Sequence, residues 1–399
     1  MRTQLYINGE WRDSENGAEF TVWNPTSGSE LASVASGTSG DATAAVDAAA
    51  HAQTGWAAEP PRVRSEILRQ CWENLFDHTD DLADLIVSEH GKPRVDAAGE
   101  VAYAAEFFRW NAEETVRIHG TIGASPSGGN KMIVHHPPVG VVVMVTPWNF
   151  PAAMITRKVA PALGAGNGLV IKPPKYAPLT ALRVAELLSE AGVPDGLVNV
   201  VPSQNASTVF DAAIAHKATR MVSFTGSTEV GKILLRGCAD RVLKVAMELG
   251  GNAPFVVFGD ADLDAAVEGA MIAKMRHSAE TCTAANRFLV ESSVVDTFTS
   301  KLAEAMSAVK VGNGFDPEVT CGPMIDESAV ESIDRLVSAA VDGGAEAVIG
   351  GSPIEGPGYF YEPTVLTGVN ANADIVCLLY TSDAADDTPC VDLGGRRII

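Results

Sequence analysis

Val139-Gly140-Val141-Val142-Val143-Met144-Val145, followed at once by Thr146-Pro147-Trp148-Asn149, is the stretch whose reading decides the fold. A run of β-branched residues without polar alternation suits a strand covered on both faces, as in a parallel sheet. From there strands and helices are expected to alternate: helix 152–163, strand 168–171, helix 179–191, strand 197–201, helix 207–215, strand 221–224, a helix from 227 and strand 243–247. Five strands with four crossovers make a doubly wound α/β domain, and its ligand belongs outside the carboxyl ends of the strands. Those ends are Thr146-Pro147-Trp148-Asn149, Lys172-Pro173-Pro174-Lys175, Val201-Pro202, Phe224-Thr225-Gly226-Ser227-Thr228-Glu229-Val230-Gly231 and Glu248-Leu249-Gly250-Gly251.

Outward from this core, the first quarter reads as scaffold without chemistry. Helices are expected over 41–53, capped by Asp41, and over 61–76, 80–89 and 95–117, after short strands at 5–11 and 20–24. A second α/β unit starts near Asn252, with strand 255–258, helix 263–275, strand 288–290 and helices 295–308 and 329–341. The 399 residues exceed the ~250–300 that one hydrophobic core serves, so two domains are expected. A net charge of −21 argues against nucleic acid or an acidic membrane face as partner. No apolar run has signal-peptide or membrane-span length, so a cytoplasmic protein is expected. Six cysteines without Cys-x-x-Cys spacing indicate neither a disulfide framework nor zinc, and no metal is expected.

The chemistry centres on Thr281-Cys282-Thr283-Ala284, 34 residues after Glu248. A buried cysteine is most often a small core residue. As a nucleophile, Cys282 would need a base such as Glu248 and donors for the alkoxide it creates, which the Asn149 amide and its own N–H could supply. Gly226-Ser227-Thr228 places amides and a hydroxyl at a helix start, a site for a diphosphate or simply a capped turn. Lys172 and Lys175 stand where a dinucleotide's adenosine ribose is met; a base there suits a 2′-phosphate, so NADP is expected ahead of NAD. Solvated surface lysines are the alternative.

Four ordered motifs, Thr146-Pro147-Trp148-Asn149-Phe150-Pro151, Phe224 to Gly231, Glu248-Leu249-Gly250-Gly251 and the Cys282 segment, resemble the aldehyde dehydrogenase superfamily. The resemblance implies oxidation of an aldehyde to a carboxylic acid through a cysteine thiohemiacetal and thioester. It makes Cys282 the nucleophile, Glu248 the base and Asn149 the oxyanion donor. Trp148, with Thr146 and Pro147 beside it, would line the cofactor site together with Lys172, Lys175, Gly226, Ser227, Glu229 and Leu249. Met154-Ile155-Thr156-Arg157-Lys158 and Lys274-Met275-Arg276 resemble succinate-semialdehyde dehydrogenases, in which matching arginines hold the substrate carboxylate. That role falls to Arg157 and Arg276, with structural ion pairing the alternative.

The implied organisation is a dinucleotide-binding domain from 1–120 and 139–250, an oligomerisation hairpin within 121–138, an incomplete catalytic domain 251–376 and a non-family tail 377–399. His277 and Ala279 stand where the family usually has Asn and Gly, and a methyl at Ala279 is expected to crowd a turn that prefers glycine. The family's Glu-x-Phe-Gly-Pro segment and C-terminal oligomerisation strand are not recognisable after Val376. A foreign extension or frameshift is the expectation there, and it sets a question against the family's homodimer or homotetramer. Two other readings stay open: an inactive cofactor-binding remnant, and a dehydrogenase for another carboxylated aldehyde.

Overall fold

A computed structural model describes residues 1–378 and 397–398 of the chain. It opens with β1 (Leu5–Ile7), β2 (Glu10–Arg12), β3 (Glu19–Asn24) and β4 (Ser29–Ala35), then four helices, α1 (Ser39–Ala58), α2 (Pro61–Asp77), α3 (Thr79–His90) and α4 (Arg94–Thr115). The α1 cap is Thr38, not Asp41: the Thr38 side chain accepts from Asp41 N while Asp41 Oδ2 accepts from Thr38 N, a reciprocal capping box. The hairpin β5 (Thr121–Ala124) and β6 (Lys131–Val134) stands apart from the main sheet.

Next come β7 (Val141–Val145), α5 (Ala153–Gly164), β8 (Gly168–Lys172), α6 (Pro178–Glu190), β9 (Val198–Val200), α7 (Ala206–Ala215), β10 (Thr219–Gly226), α8 (Thr228–Ala239) and β11 (Lys244–Leu249). Their sheet runs β11-β10-β7-β8-β9-β1-β2. The five expected strands pair in parallel, and β1 and β2 extend the sheet antiparallel at the β9 edge. The chain moves from β7 outward through β8 and β9, then crosses to β10 on the other side. The order therefore reverses between β7 and β10, the crevice where such sheets take ligands.

Burial follows the pattern read from the sequence: β7 and β8 are buried on both faces. Helices α2 to α6 cover one face through Leu68, Phe108, Ile155 and Leu182, and α1, α7 and α8 cover the other through Val46, Phe210 and Leu234. The second unit comprises β12 (Ala253–Val257), α9 (Leu263–Met275), β13 (Ala285–Val290), α10 (Val295–Ser307), α11 (Glu327–Asp342), β14 (Glu346–Ile349), β15 (Val365–Thr367), α12 (Asp374–Leu378) and β16 (Arg397–Ile398). Here β12 and β13 pair in parallel, β16 joins β13 antiparallel, and a core forms around Phe288 and Phe298. Residues 379–396 and 399, most of the expected non-family tail, lie outside the described residues. Among the described residues no helix is long and apolar enough to cross a membrane.

Candidate active site

In-register pairing sets Lys172 beside Val145, Val145 beside Phe224, and Thr225 beside Glu248. The segments that leave these strands thus enter one space, a cleft of about 1470 Å³ between the two units. Cys282, Glu248, Asn149, Arg157 and Arg276 all line it. So do the expected cofactor residues: Thr146, Pro147 and Trp148 just after β7, Lys172 at the end of β8 and Lys175 beyond it, Gly226, Ser227 and Glu229 where β10 passes into α8, and Leu249 at the end of β11. Every site residue read from the sequence is brought to this single cleft.

The cysteine loop has an unusual backbone. α9 ends at Met275, and His277, Ser278 and Ala279 then take φ of 52°, 56° and 64°, three consecutive non-glycine residues in the left-handed region. Each costs roughly 1–2 kcal/mol, which surrounding contacts must offset. The contacts are present: His277 N donates to Asp96 Oδ2 at 3.0 Å, the His277 ring packs on Phe150 at 4.4 Å, and Ser278 Oγ accepts from Gly322 N at 2.9 Å. The crowding expected at Ala279 is therefore present as left-handed strain. A turn closed by Ala284 N donating to Thr281 O at 3.1 Å then carries Cys282, half-buried, into the cleft just before β13.

Asn149 Nδ2 donates to the carbonyl oxygen of Glu280 at 2.7 Å, two residues before the thiol. A carbonyl can only accept, so this contact fixes which end of the amide is nitrogen. This hydrogen bond engages one of the two N–H groups of the amide. Glu248 is largely exposed to the cleft, with Oε1 3.8 Å from Arg157 Nη2. Arg157 also lies 5.9 Å from the Phe107 ring. Lys158 beside it donates to Ser223 Oγ at 2.9 Å, and burial lowers its pKa to about 8 against the opposing pull of Glu248.

Under the cysteine loop sits a buried polar group of residues. Burial holds the Glu280 carboxyl well above the usual carboxylate range, with Lys92 and Lys274 pulling the other way. Its Oε2 is 3.1 Å from His90 Nε2, outside hydrogen-bond alignment. Burial pushes His277 down to about 3, aided by Lys92 and Arg276, and drives His90 far below its ordinary value.

The part of the cleft lined by the ends of β7, β8, β10 and β11 carries groups that suit a dinucleotide. Thr146 Oγ1 and Thr225 Oγ1 are buried hydroxyls with no hydrogen-bond partner among the described residues. Ser227 caps α8, its Oγ accepting from Val230 N at 3.3 Å, and the helix's positive end faces the cleft. A Cβ at Gly231 would come within 2.7 Å of Leu249, so α8 packs closely on β11. Lys172 is a buried cation brought down to about 8 by desolvation and then by Lys175, a setting that favours a bound anion.

Sequence reasoning assigned no chemistry to the first quarter, and this is corrected. Glu100 and Tyr103 of α4 line the cleft, and Lys92, from the loop before α4, touches Asn149. One signal was available: Glu100 falls in the stripe Ala97, Val101, Ala104, Ala105 and Phe108, where a carboxylate has no place unless it is paired.

Known proteins resemble this chain over most of its length. The profile described as "Aldehyde dehydrogenase family" matches residues 11–378. The chain is 55% identical, over 87% of its length and 77% of the relative's, to a succinate-semialdehyde dehydrogenase of Paenarthrobacter nicotinovorans. It is 46% identical, over 94% of its length and 78% of the relative's, to the NADP(+) succinate-semialdehyde dehydrogenase of Escherichia coli K12. The crystal structure of succinate-semialdehyde dehydrogenase from Burkholderia pseudomallei superposes with a TM-score of 0.92 at 43% identity, covering 94% of this chain and 77% of that one.

Proposed function

Because the chain belongs to the aldehyde dehydrogenase family, we propose that it oxidises a carboxylated aldehyde, foremost succinate semialdehyde, to the acid with NADP in preference to NAD. The observation that carries this reading is the convergence of a thiol, a carboxylate, an amide and two guanidiniums on one cleft.

In this mechanism Arg157 and Arg276 hold the distal carboxylate of the substrate, for which a guanidinium fork is well shaped. Glu248 takes the thiol proton of Cys282 and passes it to solvent, Cys282 Sγ attacks the aldehyde carbon, and the resulting oxyanion is met by the remaining Asn149 amide N–H and the Cys282 main-chain N–H. Gly226, Ser227 and the start of α8 would hold the diphosphate, Lys172 and Lys175 the ribose and its 2′-phosphate, and Trp148, Glu229 and Leu249 the walls of that site. The bound dinucleotide supplies the acceptor for two electrons and the aldehydic hydrogen. Glu248 then takes a proton from the water that hydrolyses the Cys282 thioester. Its exposure in the cleft gives that water access.

The hairpin β5–β6 exposes Ile122, Met132, Ile133 and Val134, which supports its assignment to subunit contact in a homodimer or homotetramer. The working compartment in this reading is the cytoplasm. Formation of NADPH that depends on both succinate semialdehyde and Cys282 tests the proposal.

A further inference from the structure

Lys92 has no exposed surface, yet it carries an ammonium. Its Nζ donates at 2.7 Å to Glu100 Oε2 and at 2.7 Å to the main-chain oxygen of Asn149, and it faces the Phe150 ring at 4.5 Å. Glu100, also fully buried, uses Oε1 to accept from Ala152 N at 2.8 Å and Ala153 N at 3.2 Å, the opening of α5. Both charges are thus fully engaged, and the carboxylate sits at a helix N-terminus, where negative charge is favoured.

A buried ion pair is a weak source of stability compared with apolar side chains of the same volume. This one does something apolar residues could not: it grips the backbone on both sides of a single tight segment, the carbonyl of residue 149 and the N–H groups of residues 152 and 153. The side chain of the gripped residue reaches across the domain boundary to the nucleophile loop, through Asn149 Nδ2 and Glu280 O at 2.7 Å.

We propose that Lys92 and Glu100 are the positioning pair of the oxyanion pocket. By clamping the Asn149 carbonyl and the start of α5, they set where the Asn149 amide stands relative to Cys282. Neither touches the reacting atoms; they act through Asn149. The proposal rests on the reading of Cys282 and Asn149 as nucleophile and oxyanion donor given above.

The test is the burst of nitrophenolate released when Cys282 is acylated by 4-nitrophenyl acetate. It needs the thiol and the oxyanion pocket but neither aldehyde nor dinucleotide, so a chain that fails to oxidise aldehydes still answers it. The paired variant Lys92→Met with Glu100→Leu removes both charges and leaves none unpaired. It takes these partners from the Asn149 carbonyl and the Ala152 and Ala153 N–H groups, so it is expected to melt below the parent, and to acylate about 100-fold more slowly with little change in ester affinity, as does Asn149→Ala. Combining all three substitutions should cost no more than about threefold beyond Asn149→Ala alone, because the pair acts through that residue.

A folded paired variant that acylates within about threefold of the parent, or losses that multiply in the Asn149→Ala background, would overturn the proposal. Should the paired variant not fold, Glu100→Gln decides. It keeps an oxygen for the Ala152 N–H, and a slower burst that vanishes as an effect in the Asn149→Ala background is expected, whereas an unchanged burst overturns the role. A parent chain with no Cys282-dependent burst would instead overturn the reading of Cys282 and Asn149 on which the proposal stands.

Discussion

Arg157 Nη2 stands 3.8 Å from Glu248 Oε1, so the group assigned to the substrate's carboxylate and the group assigned to water activation already face each other across the cleft. The pair is partly exposed and loosely spaced, and a substrate carboxylate offering two oxygens is a better partner for the guanidinium. Arg157→Leu is therefore expected to raise KM for succinate semialdehyde by about 10–100-fold, the worth of one charged hydrogen-bonded pair. Butanal, which has no carboxylate, should be oxidised with nearly unchanged KM; equal effects on both aldehydes would remove Arg157 from substrate recognition.

Cofactor choice is assigned to the end of β8. Lys175→Glu places an acid where a free ribose 2′-hydroxyl is favoured and a 2′-phosphate repelled. The ratio of kcat/KM for NADP to that for NAD should fall by at least about tenfold, the worth of one hydrogen bond between charged groups. An unchanged ratio would show that Lys175 does not meet the phosphate.

Ala279 is held at φ 64°, directly after two other left-handed residues. Ala279→Gly removes the Cβ penalty, and the gain of about 1 kcal/mol, partly offset by glycine's freedom in the unfolded chain, should appear as a small rise in melting temperature. A fall would mean that the Ala279 methyl makes packing contacts worth more than the strain.

The buried histidines give acid sensitivity with a definite sign. His277 is lowered to about 3 by burial, with Lys92 and Arg276 adding, while in the unfolded chain it titrates near the ordinary ~6.5. The unfolded state therefore takes up the proton first. The stabilising contribution is complete above ~6.5 and is lost as pH falls from there towards 3, by up to about 1.4 kcal/mol per pH unit. Glu280 has the opposite sign: its raised pKa means that stability falls as pH climbs above the ordinary carboxyl value of ~4.3. Urea midpoints measured against pH should show His277→Asn losing less than the parent on acidification and Glu280→Gln losing less on going from acid to neutral. Parallel curves would contradict both assignments.

What the sequence disclosed follows from how local each signal is. β7 and β8 are runs of apolar residues buried on both faces, and the ends of β7, β8, β10 and β11 carry the cleft residues because parallel pairing brings those ends together. Thr38 was missed as the α1 cap because Asp41, its partner in the box, is an equally good capping residue. Lys92 and Glu100 could not be joined to Asn149 from sequence, since 57 residues separate Lys92 from that carbonyl and only the packing of α4 on α5 brings them together. The left-handed turn at His277 was visible only as a departure from the family's Asn and Gly.

The most direct test of the account is NADPH formation by the full 399-residue chain given succinate semialdehyde and NADP, set beside Cys282→Ser. The account predicts aldehyde-dependent NADPH from the parent chain and none from the variant. No aldehyde-dependent NADPH or NADH from the parent, or the same rate from Cys282→Ser, would contradict it.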